Sequence, residues 1–124
     1  FGETARIKEW DQIVLGVASA LTLVECLRTV DRIHLHRGLR DKDVAAKRVV
    51  VRQILDHVQL IPVSEAILVR ASAPFPTTLG TLDAIHLSSA LLWQQSEAQE
   101  VTLLTHDREL GRAAVAMGIR TLGI

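Results

Sequence analysis

Apolar residues change their spacing several times along this chain, and each change predicts a new element. From Glu3 to Gln12, Ile7 and Trp10 stand three apart among charged residues, which predicts a short amphipathic helix. Ile13 to Ala18 is a compact, β-branched apolar run and reads as a buried strand. Leu21, Val24, Leu27 and Val30 then return at helical spacing, with Ser19 placed to cap the helix and Gly38 to stop it soon after Leu35. A second helix is expected from Asp41, as its N-cap, to about Val58, and the two helices form an antiparallel hairpin. Gln59 to Val63 reads as an edge strand, because Pro62 has no N–H to give to a neighbour. Ser64 opens a helix carrying Ile67, Leu68 and Val69, and Pro74-Phe75-Pro76 closes it. After a loop to Gly80, Thr81 is expected to cap a long helix packed through Ile85, Leu87, Leu91, Leu92 and Trp93. Val101 to Leu104 is a short apolar run bounded by polar residues, as expected of a strand covered on both faces. A helix opening at Asp107 carries Leu110, Ala113, Ala114 and Met117 and ends at Gly118, and Ile119 to Leu122 is a final strand. Strands alternating with helices predict the α/β class: a mostly parallel sheet between helices, three layers in all.

Length and composition narrow this picture. A chain of 124 residues fits one domain, 1–124, and can bury a core without staples. It is 48% hydrophobic but only 3% aromatic, with no Tyr, so Leu, Val, Ala and Ile must build that core. A formal net charge of zero argues against gripping nucleic acid with the whole surface. The helical hairpin is nevertheless locally basic: Arg28, Arg32, Arg37, Arg40, Lys42, Lys47, Arg48 and Arg52 face only five acids there. That pattern fits a solvated helical face or a rim that contacts phosphates. The single cysteine, Cys26, has no partner for an internal disulfide, which suits a reducing compartment. No apolar run reaches the roughly 18 residues of a membrane span. A cytoplasmic location is the expectation.

Three acids fall at comparable places in this order of elements. Glu25 lies about two turns into the helix after the first strand, Asp83 in the first turn of a later helix, and Asp107 at the end of the third strand. Sites in open α/β sheets are built at the carboxyl edge of the strands, and a helix N-terminus favours negative charge. Carboxylates gathered at one edge repel one another unless a cation joins them. Oxygen-only donors, completed by water and a substrate phosphate, suit Mg²⁺ or Mn²⁺. Such an ion activates water and neutralises a phosphodiester during in-line displacement. Spacing alone leaves a plainer reading open for each acid, that of a helix cap. The plainer reading is also the better one for several neighbours. His86 reads as a packing residue, Cys26 as a small apolar one, and Trp10 and Trp93 as core or interface. His106 and Arg108 could touch substrate or simply be solvated, and His34 and His36 are too poorly arranged on a helix to share a metal.

Three segments change the weight of these readings. Ser19-Ala20-Leu21-Thr22-Leu23-Val24-Glu25-Cys26-Leu27-Arg28, Thr81-Leu82-Asp83-Ala84-Ile85-His86-Leu87-Ser88-Ser89-Ala90 and Leu104-Thr105-His106-Asp107-Arg108-Glu109-Leu110 resemble, in order and spacing, the motifs of PIN-domain ribonucleases. The likeness is to the VapC toxins of bacterial toxin–antitoxin pairs, and it covers essentially the whole chain from Glu3 onward. It implies a PIN-like α/β/α fold in which Glu25, Asp83 and Asp107 are metal ligands, directly or through water, and Thr105 orients a ligand or a metal-bound water. It implies an endoribonuclease that uses Mg²⁺ or Mn²⁺ to cut single-stranded RNA or RNA loops, tRNA among them. It also implies a homodimer and a VapB-like antitoxin whose C-terminal segment enters the active-site groove.

The resemblance carries one further expectation. Its members begin with a central strand that ends in an aspartate, the first metal ligand, whereas this sequence opens at Phe1-Gly2-Glu3 with Glu3 and Asp11 in the following helix. A domain truncated in this way would hold Mg²⁺ weakly. Its sheet would have a gap beside Val101–Leu104, closed by rearrangement, by a strand swap between chains or by a separate N-terminal piece. Two other functions follow from the same residues: a catalytically silent module that binds antitoxin or RNA, and an unrelated doubly wound domain with acidic caps. Metal binding separates the first two readings from the last, and turnover separates the nuclease from the silent module.

Overall fold

In the computed structural model, which describes residues 16–123, the chain divides into two units, 16–62 and 63–123. The expected helix from Glu3 to Gln12, and the first residues of the strand after it, lie outside the described residues.

The first unit is a parallel strand pair crossed by a helical hairpin. It comprises β1 (Gly16–Ser19), α1 (Leu21–Arg37), α2 (Asp41–Leu55) and β2 (Val58–Ile61). β1 and β2 pair in parallel, with Gly16 opposite Val58 and Ser19 opposite Ile61. Ala20, and not Ser19, is the N-cap of α1; Ser19 stands one residue before it, and its Oγ accepts the Leu21 N–H at 3.2 Å. The Ala20 N–H donates to the Ile61 carbonyl at 2.8 Å, which ties the entry of α1 to the neighbouring strand. Gly38 closes α1 in the left-handed conformation (φ 64°, ψ 31°) that glycine adopts without penalty. Asp41 is not the cap of α2. Arg40 holds that place in an extended conformation, and its carbonyl accepts the Asp43 and Val44 N–H groups, so Asp41 and Asp43 lie in the first turn. Acids there are still favoured by the helix dipole. α2 stops at Leu55, short of the expected Val58, because Val58 is recruited into the ladder with Gly16. Val30 and Val51, each 5% exposed, are the most buried apolar side chains of the hairpin.

The second unit contains α3 (Glu65–Ala71), α4 (Thr81–Glu97), β3 (Thr102–Leu104), α5 (Arg108–Ala116) and β4 (Arg120–Leu122). Ser64 caps α3 as expected, its Oγ accepting the Ile67 N–H at 3.3 Å. The cap of α4 is Gly80 and not Thr81: Gly80 is extended (φ −69°, ψ 166°) and its carbonyl accepts the Ala84 N–H at 2.9 Å. Thr81 is already helical, and glycine serves at an N-cap at little cost. Leu87 and Leu91 from α4 meet Leu110, Ala113 and Ala114 from α5 and Ile119 ahead of β4, with Phe75, Leu79, Leu103 and Met117 packed around them. The Arg70 guanidinium lies 4.5 Å from the centre of the Phe75 ring and donates to Met117 Sδ at 3.5 Å, pinning α3 to the end of α5.

β3 and β4 are parallel, with Thr102 opposite Arg120 and Leu104 opposite Leu122. The expected burial of β3 on both faces is corrected. Leu103 packs against the core, but Thr102 and Leu104 face away from it, and Leu104 is 41% exposed. Side chains alternate along a strand, and among the described residues nothing buries that outer face. Parallel pairing and alternating helices give the expected α/β class. Among the described residues the ladders form two separate pairs. Among the described residues β2 has one partner, and Pro62 follows its last paired residue, as an edge strand allows.

Leu87 is fully buried, so Leu87→Ala should destabilise the chain by about 2–5 kcal/mol through lost transfer energy and a residual cavity. Urea denaturation of the two forms measures the difference.

Candidate functional site

The site region in the second unit grows directly out of strand pairing. One rung beyond β3, the Thr105 N–H donates to the Leu122 carbonyl at 3.0 Å, so the ladder continues to the edge of the strand pair. The chain then turns, and the Asp107 N–H donates to Thr105 Oγ1 at 3.0 Å. This local bond holds Asp107 in an extended conformation (φ −80°, ψ 116°) as the N-cap of α5. Asp107 Oδ1 accepts the Glu109 N–H at 2.9 Å and the Leu110 N–H at 3.1 Å. Both orphan donors are therefore satisfied through a single oxygen. Asp107 Oδ2 takes no hydrogen bond from the described residues, and each carboxylate oxygen carries two lone pairs.

Asp83 sits half-buried in the first turn of α4, whose later turns share the core cluster with α5. The second unit thus carries two candidate acids at helix N-termini, with Thr105 bonded to one of them. Glu25 belongs to the first unit, half-buried on α1, and its backbone carbonyl accepts the Thr29 hydroxyl at 2.8 Å. Among the described residues no group of three or more His, Cys, Asp or Glu side chains is gathered as a metal cage. The chemistry of the donors still suits a hard cation. Asp107 offers a free oxygen, and all three candidates are carboxylates, with no sulfur to favour a softer metal.

Other singled-out residues take clearer roles. His106 is exposed, but its Nδ1 lies 3.0 Å from the Gly123 carbonyl, a contact the sequence reading did not foresee. Trp93 is half-buried, as a core or interface residue should be, and its Nε1 has no acceptor. The basic stretch is partly neutralised on its own helices: Arg28 pairs with Asp31 at 3.2 Å and Arg40 with Asp43 at 3.3 Å. Arg37, Lys42, Lys47 and Arg52 stand exposed. Cys26, beside Glu25, has its thiol pKa pushed up, first by burial.

The chain is similar to known proteins. A family model described as the PIN domain matches residues 2–116. Ribonuclease VapC46 of Mycobacterium tuberculosis (strain ATCC 25618 / H37Rv) is 33% identical over 91 residues, which cover 73% of this chain and 67% of that protein.

The double use of Asp107 as cap and candidate ligand can be separated. Asp107→Ala removes the acceptor of two N–H groups and should cost about 0.5–2 kcal/mol, whereas Asp107→Asn keeps the cap and should stay within a few tenths of wild type in urea denaturation. The Cys26 thiol should react with a disulfide reagent at mildly alkaline pH more slowly in the folded chain than in the denatured one, because less thiolate is present.

Proposed function

This chain belongs to the PIN-domain family of VapC-type ribonucleases, and on that premise we propose that it is an endoribonuclease dependent on Mg²⁺ or Mn²⁺. Glu25, Asp83 and Asp107 hold the ion, directly or through water, and Thr105 sets the position of Asp107. The observation that carries this reading is the disposition of Asp107. It stands just past the carboxyl end of β3, fixed by Thr105 and by two backbone N–H groups, with Oδ2 left over for a ligand.

The chemistry follows from charge. When bound, a divalent cation would supply activation of water and neutralisation of the phosphodiester. The protein's own part is to keep the carboxylates oriented. The N-terminus of α5 stabilises the Asp107 anion, and the cap prevents its rotation. The first turn of α4 gives Asp83 the same electrostatic setting. The exposed cations of the hairpin, Arg37, Lys42, Lys47 and Arg52, suit contact with an RNA backbone, tRNA included.

The same reading gives the protein a VapB-like antitoxin as partner. A groove of about 480 Å³ between the end of α3 and the start of α4, walled by Leu68, Phe75, Leu79 and Ile85 with Thr81 at its rim, suits the apolar side of a short peptide. Exposed Val24, Leu35, Val49, Val50 and Ile54 on α1 and α2 suit a second copy in a homodimer. No helix among the described residues is long and apolar enough to cross a membrane, which is compatible with the cytoplasmic location proposed here.

Cleavage of an end-labelled RNA in Mn²⁺ tests the proposal. Chelation of the metal should stop it. Glu25→Gln, Asp83→Asn and Asp107→Asn should each lower the rate by about 10²–10³-fold, the usual effect of removing one preorganised electrostatic contact. Metal-independent cutting, or full activity in these variants, would refute it. Mn²⁺ binding without cleavage would leave the catalytically silent module that binds antitoxin or RNA.

A further inference from the structure

We propose that the segment leaving β4 acts as a clamp on the acid-bearing turn, with His106 and Gly123 as positioning residues for Asp107. This rests on the reading of Asp107 as a metal ligand. The turn 105–107 and the residues after β4 are tied twice over: Thr105 N–H to the Leu122 carbonyl at 3.0 Å, and His106 Nδ1 to the Gly123 carbonyl at 3.0 Å. A carbonyl only accepts, so His106 Nδ1 carries the hydrogen and donates it. The second tie therefore depends on one tautomer and on one ring nitrogen.

Gly123 is suited to its place for two separate reasons. Its φ of 109° lies in the left-handed half of the map that other residues avoid. A Cβ there would run into the Thr105 carbonyl oxygen. Thr105 is the residue whose Oγ1 fixes the Asp107 N–H. Gly123 thus leaves room for the backbone of the residue that orients the acid, and His106 fastens the segment leaving β4 to the turn. Asp107 Oδ1 is committed to α5, so the direction of Oδ2 follows the backbone of residues 105–107. Loosening the clamp lets that direction wander without removing any carboxylate.

Direct measurement of Mn²⁺ affinity, with urea denaturation of each variant, tests the clamp without relying on turnover. His106→Ala should weaken Mn²⁺ binding about tenfold, the usual lower bound for losing a partner behind a ligand, while the urea midpoint of this exposed site stays at wild type. His106→Asn, whose amide N–H can replace the Nδ1 donor, should restore affinity to within about twofold. His106→Gln, which mimics the other ring nitrogen, should not. Gly123→Ala should weaken Mn²⁺ binding to a similar degree and, unlike His106→Ala, should also lower the urea midpoint, because its Cβ meets the Thr105 carbonyl. Wild-type affinity in both His106→Ala and Gly123→Ala, beside weak binding in Asp107→Asn, would overturn the clamp and leave Asp107 a ligand. So would a His106→Asn variant as weak as His106→Ala. Wild-type affinity in Asp107→Asn would overturn the ligand reading and the clamp with it.

Discussion

Parallel pairing of short strands is the constraint on which the rest of this structure depends. Two parallel neighbours leave the sheet at the same edge, so the chain between them must cross over, and a helix is the shortest element that satisfies its own backbone on the way. β3 and β4 obey this through α5, and β1 and β2 through the α1–α2 hairpin. The consequence for chemistry is positional. Thr105 and His106 meet Leu122 and Gly123 because β3 and β4 run the same way. An antiparallel pair would have sent Gly123 to the opposite end.

The same geometry makes one carboxylate serve structure and charge. Helix α5 needs acceptors for its first N–H groups, and Asp107 meets that need through Oδ1 alone. A cap and a ligand are therefore not rival descriptions of this residue. Capping fixes the side-chain torsion, and that preorganisation lowers the cost of presenting Oδ2 to a cation.

Packing behind the site depends on small residues. Ala113 and Ala114 on α5 are fully buried against Leu87 and Leu91, so the helix that Asp107 caps lies close on α4, whose first turn carries Asp83. Arg70, stacked on Phe75 and bonded to Met117, closes the other end of α5. The two ends of that helix are held by different physics: hydrogen bonds to an anion at one, cation–π and sulfur contacts at the other.

Much of this was legible in the residue pattern, because the pattern encodes local geometry. Helical spacing or start and stop residues mark all five described helices, with Ser64 recognisable as a cap and Gly38 as a left-handed stop, since each acts within a few residues of itself. Three motifs in order point to the family whose model matches the chain, and the residue pattern places Asp107 at a strand end. What the pattern misjudged were choices settled by distant partners. α2 ended at Leu55 because Val58 was needed opposite Gly16, and Leu104 was exposed because burial of a strand face depends on what lies across from it. The bond from His106 to Gly123 spans 17 residues and exists only because two strands run in parallel. By itself the sequence determined the elements, their order and the acids at their ends, since those follow from short-range sterics and hydrogen bonding. Only the tertiary structure decided which side chains the ends of β3 and β4 bring together, because that depends on register.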